Sequence, residues 1–229
     1  MKRKSGVLMP VSSLPSPYGI GAFSKEAYEF VDFLAEAGQT YWQMLPLGQT
    51  GYGDSPYQSF STFAGNPYFI DLDQLVEAGY LEAGELAAAD FGADSEHVSY
   101  DKIYSERFRI LRMAYHNSPY ALQVAERWAG YKEETAAFEA FIEKYAAWLP
   151  DYALYSAIKN ASGGKSLSDW EDDIRLRVAA MEAYQAKLED EVRFYEFQQY
   201  LFRQQWSALK QYANEKGYPD DRRCPDLCS

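Results

Sequence analysis

The chain has little cysteine and little histidine, and both shortages limit its chemistry. Cys224 and Cys228 are its two cysteines and both lie near the C-terminus, so the rest of the chain holds no disulfide framework. A Cys-x3-Cys pair without a neighbouring histidine is a poor metal site. His97 and His116 are expected at the surface, and neither a metal nor a cofactor is predicted.

Basic charge and long apolar runs are also scarce. The formal net charge is −12 at pH 7, which argues against nucleic acid and anionic membranes as partners because their phosphates would be repelled. No apolar run approaches the roughly 18 residues of a membrane span. The basic N-terminus lacks the apolar region of a signal peptide, since Pro10 and Ser12 interrupt it, and a cytoplasmic location is predicted.

The first third of the sequence predicts a strand, a helix and a second strand. Residues 7–11 and 41–47 are short apolar runs bounded by Gly and Pro, which is typical of buried strands. The amphipathic segment between them has Ser24 as a candidate N-cap and Gly38 at its end. This order predicts a crossover unit of a parallel sheet, whose C-terminal loops, residues 12–21 and 48–67, are where a site is expected.

The pattern after residue 67 is helical, and no third strand is predicted before Gly217. Helices are expected at residues 73–78, 102–115, 119–129, 133–148 and 151–161. Residues 172–214 lack Gly and Pro and are rich in helix formers, which predicts one long helix or two.

Residues 51–67 carry the strongest functional signal: Gly-Tyr-Gly-Asp-Ser-Pro-Tyr-Gln-Ser-Phe-Ser-Thr-Phe-Ala-Gly-Asn-Pro. Three glycines and two prolines exclude a continuous helix or strand. Aromatic faces beside Asp, Ser and Gln suit a sugar, whose ring stacks on an aromatic face and whose hydroxyls need hydrogen-bond partners. The alternative is a packed loop whose aromatic side chains fill a local core.

Residues 51–67 closely resemble the signature loop of the 4-alpha-glucanotransferases, also called amylomaltases or disproportionating enzymes. The preceding residues 41–48, Tyr-Trp-Gln-Met-Leu-Pro-Leu-Gly, fit the same family. Residues 5–15, 17–21, 148–154 and 199–206 match as well. The resemblance extends from about residue 5 to residue 217, which is less than half of a typical family member.

The resemblance implies an α/β fold: the N-terminal fragment of an α-amylase-type (β/α)8 barrel, with two strands and a large, mainly helical insertion. Residues 1–67 would form the first two β/α units, and residues 68–217 the insertion. Residues 218–229 are too polar for the next buried strand. We hypothesise that they are read out of frame after a one-base insertion, which sequencing of the DNA around codon 218 would test; the alternative is an authentic divergent terminus.

The function implied by the resemblance is transfer of α-1,4-glucan segments between maltooligosaccharides with retention of configuration. Such transfer needs two carboxyl groups, and the family's catalytic carboxylates have no counterpart in residues 1–217. The chain alone is therefore expected to be inactive, and no catalytic residue is assigned. The alternatives are a non-catalytic glucan-binding or interaction fragment, and the non-functional product of a frameshifted gene.

The resemblance also implies the residues that contact maltooligosaccharides or other α-1,4-glucans. Tyr57 and Ser55 match positions that line the cleft around the scissile bond, and Tyr52 matches a secondary glucan contact. Gln58 is either a cleft residue or a brace for the loop. Asp54 is expected to fix the loop by accepting backbone N–H bonds, with direct chemistry as its alternative. The sequence does not predict the oligomeric state.

Overall fold

The computed structural model describes residues 3–51, 53–92, 94, 96–122, 131–175 and 181–218. The chain forms two compact units, residues 1–114 with 201–229, and residues 115–200. Most of the predicted helix at residues 119–129 and the tail at residues 219–229, with both cysteines, lie outside the described residues. Residues 119–122 form turns and bends, not a helix.

The first unit contains two short parallel strands joined through a helix. Strand β1 (Gly6–Leu8) pairs with strand β2 (Tyr41–Gln43), with Gly6 opposite Tyr41 and Leu8 opposite Gln43. Helix α1 (Lys25–Glu36) lies between them in the sequence. The strand–helix–strand prediction is confirmed, and the described residues contain no third strand in this sheet.

The strands are shorter and more exposed than predicted. The prediction of buried strands is wrong, because Leu8 is 54% exposed and none of the three β1 residues is buried. The run at residues 7–11 ends early because Pro10 has no N–H to donate and Val11 already begins a 3-10 turn (Val11–Ser13). In the described part of the chain, each strand pairs with the other alone, so each has one open edge.

Helix α1 follows its predicted pattern. Ala27, Val31 and Leu34 form its buried stripe. Gly38 has φ of +65° and its N–H donates to the carbonyl of Ala35, which ends the helix as expected. Ser24 is at the N-cap, but its hydroxyl donates to Glu26 at 2.5 Å and does not cap the backbone.

Helices make up most of the remaining chain. They are α2 (Asp73–Glu77), α3 (Ala83–Ala87), α4 (Tyr100–Asn117), α5 (Tyr131–Lys144), α6 (Leu149–Ala161), α7 (Asp172–Arg175), α8 (Met181–Lys187) and α9 (Glu189–Glu215), with 3-10 turns at Pro67–Phe69 and Leu167–Asp169. The predicted helices at 73–78, 102–115, 133–148 and 151–161 are confirmed, with shifted ends. Within the described residues, no helix is long and apolar enough to cross a membrane.

Aromatic side chains form the core of each unit. In the first unit, the fully buried Phe23 contacts Phe69, Phe202 and Trp206, with ring centroids 5.2–5.9 Å apart. In the second unit, a cluster of rings joins α5 to α9, consisting of Tyr120, Phe138, Phe141, Phe197 and Tyr200. Such ring pairs contribute about 0.5–1.5 kcal/mol each beyond their area burial.

Candidate functional site

The loop that follows β2 closes on itself, and we call residues 48–67 the signature loop. Its two ends meet where Gly48 and Gly65 form an isolated antiparallel bridge. The Asn66 N–H donates to the carbonyl of Leu47 at 2.8 Å. The ends of the signature loop are therefore fixed by backbone hydrogen bonds.

Asn66 also sets the direction in which the chain leaves the loop. Its side chain is buried, and its Oδ1 accepts the N–H of Tyr68 at 3.0 Å. This bond caps the 3-10 turn Pro67–Phe69, whose first residue is the proline. Asn66 was not singled out from the sequence, although Asn followed by Pro is a turn signal.

Serine side chains brace the inside of the signature loop. Ser59 Oγ donates to the carbonyl of Ser61 at 2.7 Å, and Ser61 Oγ accepts the N–H of Ala64 at 3.1 Å. The N–H of Gln58 donates to the carbonyl of Ser55 at 3.1 Å. These short-range bonds hold the backbone in place without any regular secondary structure.

The described aromatic side chains of the signature loop face solvent. Tyr57 is 73% exposed, and Phe60 and Phe63 are each 42% exposed. Gln58 is exposed as well, and Ser55 is half-buried with its Oγ accepting the Tyr57 N–H at 3.4 Å. A loop whose aromatic residues fill a local core would bury these three rings. The observed arrangement instead presents aromatic and polar groups together on a braced loop.

Asp54 has the one positive φ (+54°) of a non-glycine residue in the described part of the chain. Its N–H donates to the carbonyl of Gly51 at 3.1 Å, which forms the turn. Partial burial raises the pKa of its carboxyl. Among the described residues, none donates a hydrogen bond to that carboxylate, so a role in fixing the loop would depend on its backbone conformation.

Asp54, Ser55, Tyr57 and Gln58 are neighbours in the sequence, and all four lie on the turn that follows Gly53. Tyr52 lies outside the described residues, and its secondary contact stays a prediction. His97 and His116 are exposed as predicted, and His97 pairs with Asp94 at 3.0 Å. The described residues hold no cluster of His, Cys, Asp and Glu suited to a metal ion.

A cavity of about 350 Å³ lies elsewhere in the first unit. It is lined mostly by small and apolar residues of α3 and its surroundings, among them Leu86 and Phe91, together with Asp90 and with Pro17 and Tyr18 of the loop after β1. None of its lining residues belongs to the signature loop.

Comparison with known proteins matches the 4-alpha-glucanotransferase family over residues 9–219. The chain is 48% identical over 216 residues to the 4-alpha-glucanotransferase of Streptococcus pneumoniae, covering 93% of this chain and 41% of that protein. It is 44% identical over 223 residues to the Thermus thermophilus enzyme, covering 95% and 41%. The chain thus spans about two fifths of the length of these curated relatives.

A solved structure shows the same likeness in three dimensions. The amylomaltase from Streptococcus agalactiae in complex with acarbose superimposes with a TM-score of 0.84 at 40% identity, over 94% of this chain and 42% of that one. This likeness confirms the predicted fold class, in which two parallel strands precede a mainly helical segment. On the match over residues 9–219, the chain belongs to the 4-alpha-glucanotransferase family.

Proposed function

We propose that this chain supplies the glucan-binding signature loop of a retaining 4-alpha-glucanotransferase. The observation that carries the proposal is Tyr57, whose ring is 73% exposed on a backbone that local hydrogen bonds hold in place. A fixed, solvent-facing ring binds a sugar face without first having to be ordered. The similar amylomaltase solved with acarbose supports an oligosaccharide as the ligand.

Each residue of the loop has a distinct role in this proposal. The ring of Tyr57 stacks on the apolar face of a pyranose beside the scissile bond. Ser55 and Gln58 offer a hydroxyl and an amide to the sugar hydroxyls. Tyr52 contacts a more remote part of a long glucan. Asp54 has a positioning role, because its left-handed backbone sets the turn that carries Ser55 and Tyr57.

The chemistry itself would be carried by carboxyl groups outside residues 1–217. Retaining transfer uses two carboxyl groups about 5–5.5 Å apart, one as nucleophile and one as acid and then base. The nucleophile bonds the anomeric carbon as the glycosidic bond breaks, and the acid gives its proton to the oxygen of the leaving glucan. A sugar hydroxyl then bonds the same carbon as the bond to the nucleophile breaks, and the proton of that hydroxyl passes to the second carboxylate. The signature loop holds the glucan in register for both steps.

Binding and turnover by the chain test the proposal separately. The chain should bind maltoheptaose in isothermal titration calorimetry but release no glucose from maltotriose. Tyr57→Ala should weaken maltoheptaose binding by about 3- to 10-fold, which corresponds to one lost stacking contact. Phe33→Ala is the matched control, because Phe33 is an exposed ring on α1, outside the loop.

Two results would count against the proposal. Unchanged affinity after Tyr57→Ala would remove the assigned contact. Glucose release above that of a blank, from protein cleared of host enzymes, would show that the chain already contains a catalytic pair.

Tyr52→Ala should weaken binding of long amylose more than binding of maltotriose, and an equal loss on both would contradict its remote role.

A further inference from the structure

Arg107 on helix α4 is a fully buried cation that binds backbone carbonyls of two separate segments. Its Nη2 donates to the carbonyl of Ile70, and its Nη1 donates to the carbonyl of Tyr18 at 3.4 Å. The guanidinium is planar with several N–H donors, so one side chain can serve two acceptors at once. Arg107 therefore joins chain positions that are 52 residues apart.

The two carbonyls belong to the segments that follow β1 and β2. Tyr18 lies in the connection between β1 and α1, and Ile70 directly follows the 3-10 turn that ends the signature loop. The Phe23 N–H donates to the carbonyl of Phe69 at 2.9 Å, which ties the same two segments a second time. Arg107 thus stands at the point where the two loops expected to form the site come together.

The position of Arg107 is not explained by an ion pair. Among the described residues, Arg107 forms no ion pair, and its buried Nε–H has no hydrogen-bond partner. Burial lowers its pKa to about 10, while the nearby charge of Asp71 opposes that shift. A buried charge is costly unless its hydrogen bonds compensate. The bonds from Nη1 and Nη2 to the two carbonyls are therefore the hydrogen bonds that offset the burial of this charge in the described residues.

Tyr68 connects Arg107 to the signature loop. The buried ring of Tyr68 packs edge-on against Phe108, the residue after Arg107 on α4, with ring centroids 6.3 Å apart. The Tyr68 N–H donates to Oδ1 of Asn66 in the signature loop at 3.0 Å. A displacement at Arg107 would therefore act on the end of the signature loop through Tyr68 and Asn66.

We propose that Arg107 is a positioning residue for the signature loop, whose guanidinium holds the segments after β1 and β2 in their glucan-binding arrangement. The expected effect of Arg107 on glucan affinity rests on the proposed function. The expected effect of Arg107 on the order of the loop does not depend on that function. Arg107 touches no glucan and acts through Tyr68 and the backbone.

Hydrogen–deuterium exchange of the 229-residue chain tests the structural part directly. In Arg107→Met, peptides from residues 53–66 should exchange about tenfold faster than in the wild type, because local opening becomes easier. Peptides from α1 should be unchanged. Arg107→Lys should give an intermediate rate, because an ammonium group reaches one carbonyl but cannot span both. Added ethylguanidinium should slow exchange in Arg107→Ala.

Arg109→Met is the matched control, since Arg109 lies two residues along the same helix and pairs with Glu106 at the surface. The proposal is overturned if Arg107→Met leaves exchange in the loop at the wild-type rate. It is also overturned if exchange in α1 rises as much as in the loop, because that would be a general loss of stability. If Arg107→Met does not fold, Arg107→Lys is judged by the same two criteria.

Maltoheptaose binding gives a second readout that a purely structural arginine would not change. Arg107→Met should weaken binding by about tenfold, and Arg109→Met should leave it unchanged. If the wild-type chain binds no maltoheptaose, the proposed function fails, and the exchange rates still decide the role of Arg107. Unchanged affinity in a folded Arg107→Met chain, beside a binding wild type, would contradict the positioning role.

Discussion

Gly65 lies so close to the ring of Phe202 that no larger residue fits in its place. A Cβ atom at Gly65 would stand 2.3 Å from Cδ1 of Phe202. Phe202 is buried on α9 and packs edge-on against Phe23 at 5.2 Å. Because Gly65 also pairs with Gly48, the closure of the signature loop depends on this contact with α9.

Gly65→Ala should therefore destabilise the chain by about 1–3 kcal/mol, the usual cost of forcing an extra methyl group into a packed site. Gly84→Ala is the matched control. Gly84 lies in helix α3, and a Cβ added there meets nothing within 4 Å. That change should stabilise the chain by about 0.4–1 kcal/mol. Urea unfolding measures both, and equal midpoints for the two variants would contradict the close packing.

Glu196 should make the stability of the chain depend on pH. Its side chain is buried on α9, and burial raises its pKa to about 7, partly opposed by the charge of Arg193. The folded state therefore holds this proton at pH values where the unfolded state has lost it. The free energy of unfolding should fall as pH rises from about 4.5 to 7, since the folded chain binds more protons there.

Glu196→Gln should remove this dependence. The wild type should lose up to roughly 3 kcal/mol between pH 5 and pH 8, and the variant should lose much less. Urea unfolding across that range measures the difference. Glu143→Gln, an exposed position on α5, is the control and should follow the wild type. A Glu196→Gln curve parallel to that of the wild type would show that Glu196 is ionised in the folded chain.

The exposed apolar groups beside the two-stranded sheet should make the chain self-associate. Leu8 on β1 is 54% exposed and Phe33 on α1 is 57% exposed. Exposed apolar side chains near open strand edges favour association. Sedimentation velocity at micromolar concentrations should show species larger than a monomer, and Leu8→Lys with Phe33→Glu should reduce them. Leu167→Lys, at another exposed leucine, should not. A monodisperse wild-type monomer would contradict this prediction.

The order of elements could be predicted from the sequence because it depends on local patterns. The apolar stripe of α1 and the glycine at its end are encoded within a few residues, and both are confirmed. The burial of the strands could not be predicted this way. An apolar run such as residues 41–47 indicates a strand, but its exposure depends on what packs against the sheet, and that is a tertiary property.

The signature loop could be singled out from the sequence, but the residues that support it could not. The signature loop was recognisable from its composition, since Gly and Pro exclude regular structure and the aromatic residues are unusual for a loop. Arg107 carried no such signal, because an arginine within a helical pattern is typical of a solvated face. It is buried because carbonyls from two distant segments converge on it, and sequence spacing cannot show that.

A residue-resolved NMR titration of the chain with maltoheptaose tests most directly whether the signature loop binds glucan. The amide signals of Ser55, Tyr57 and Gln58 should shift on addition of the sugar, while those of Leu86 and Phe91, which line the cavity beside α3, should not. Shifts confined to the cavity, or no shifts at any concentration of sugar, would contradict the assignment of the signature loop as the glucan-binding element.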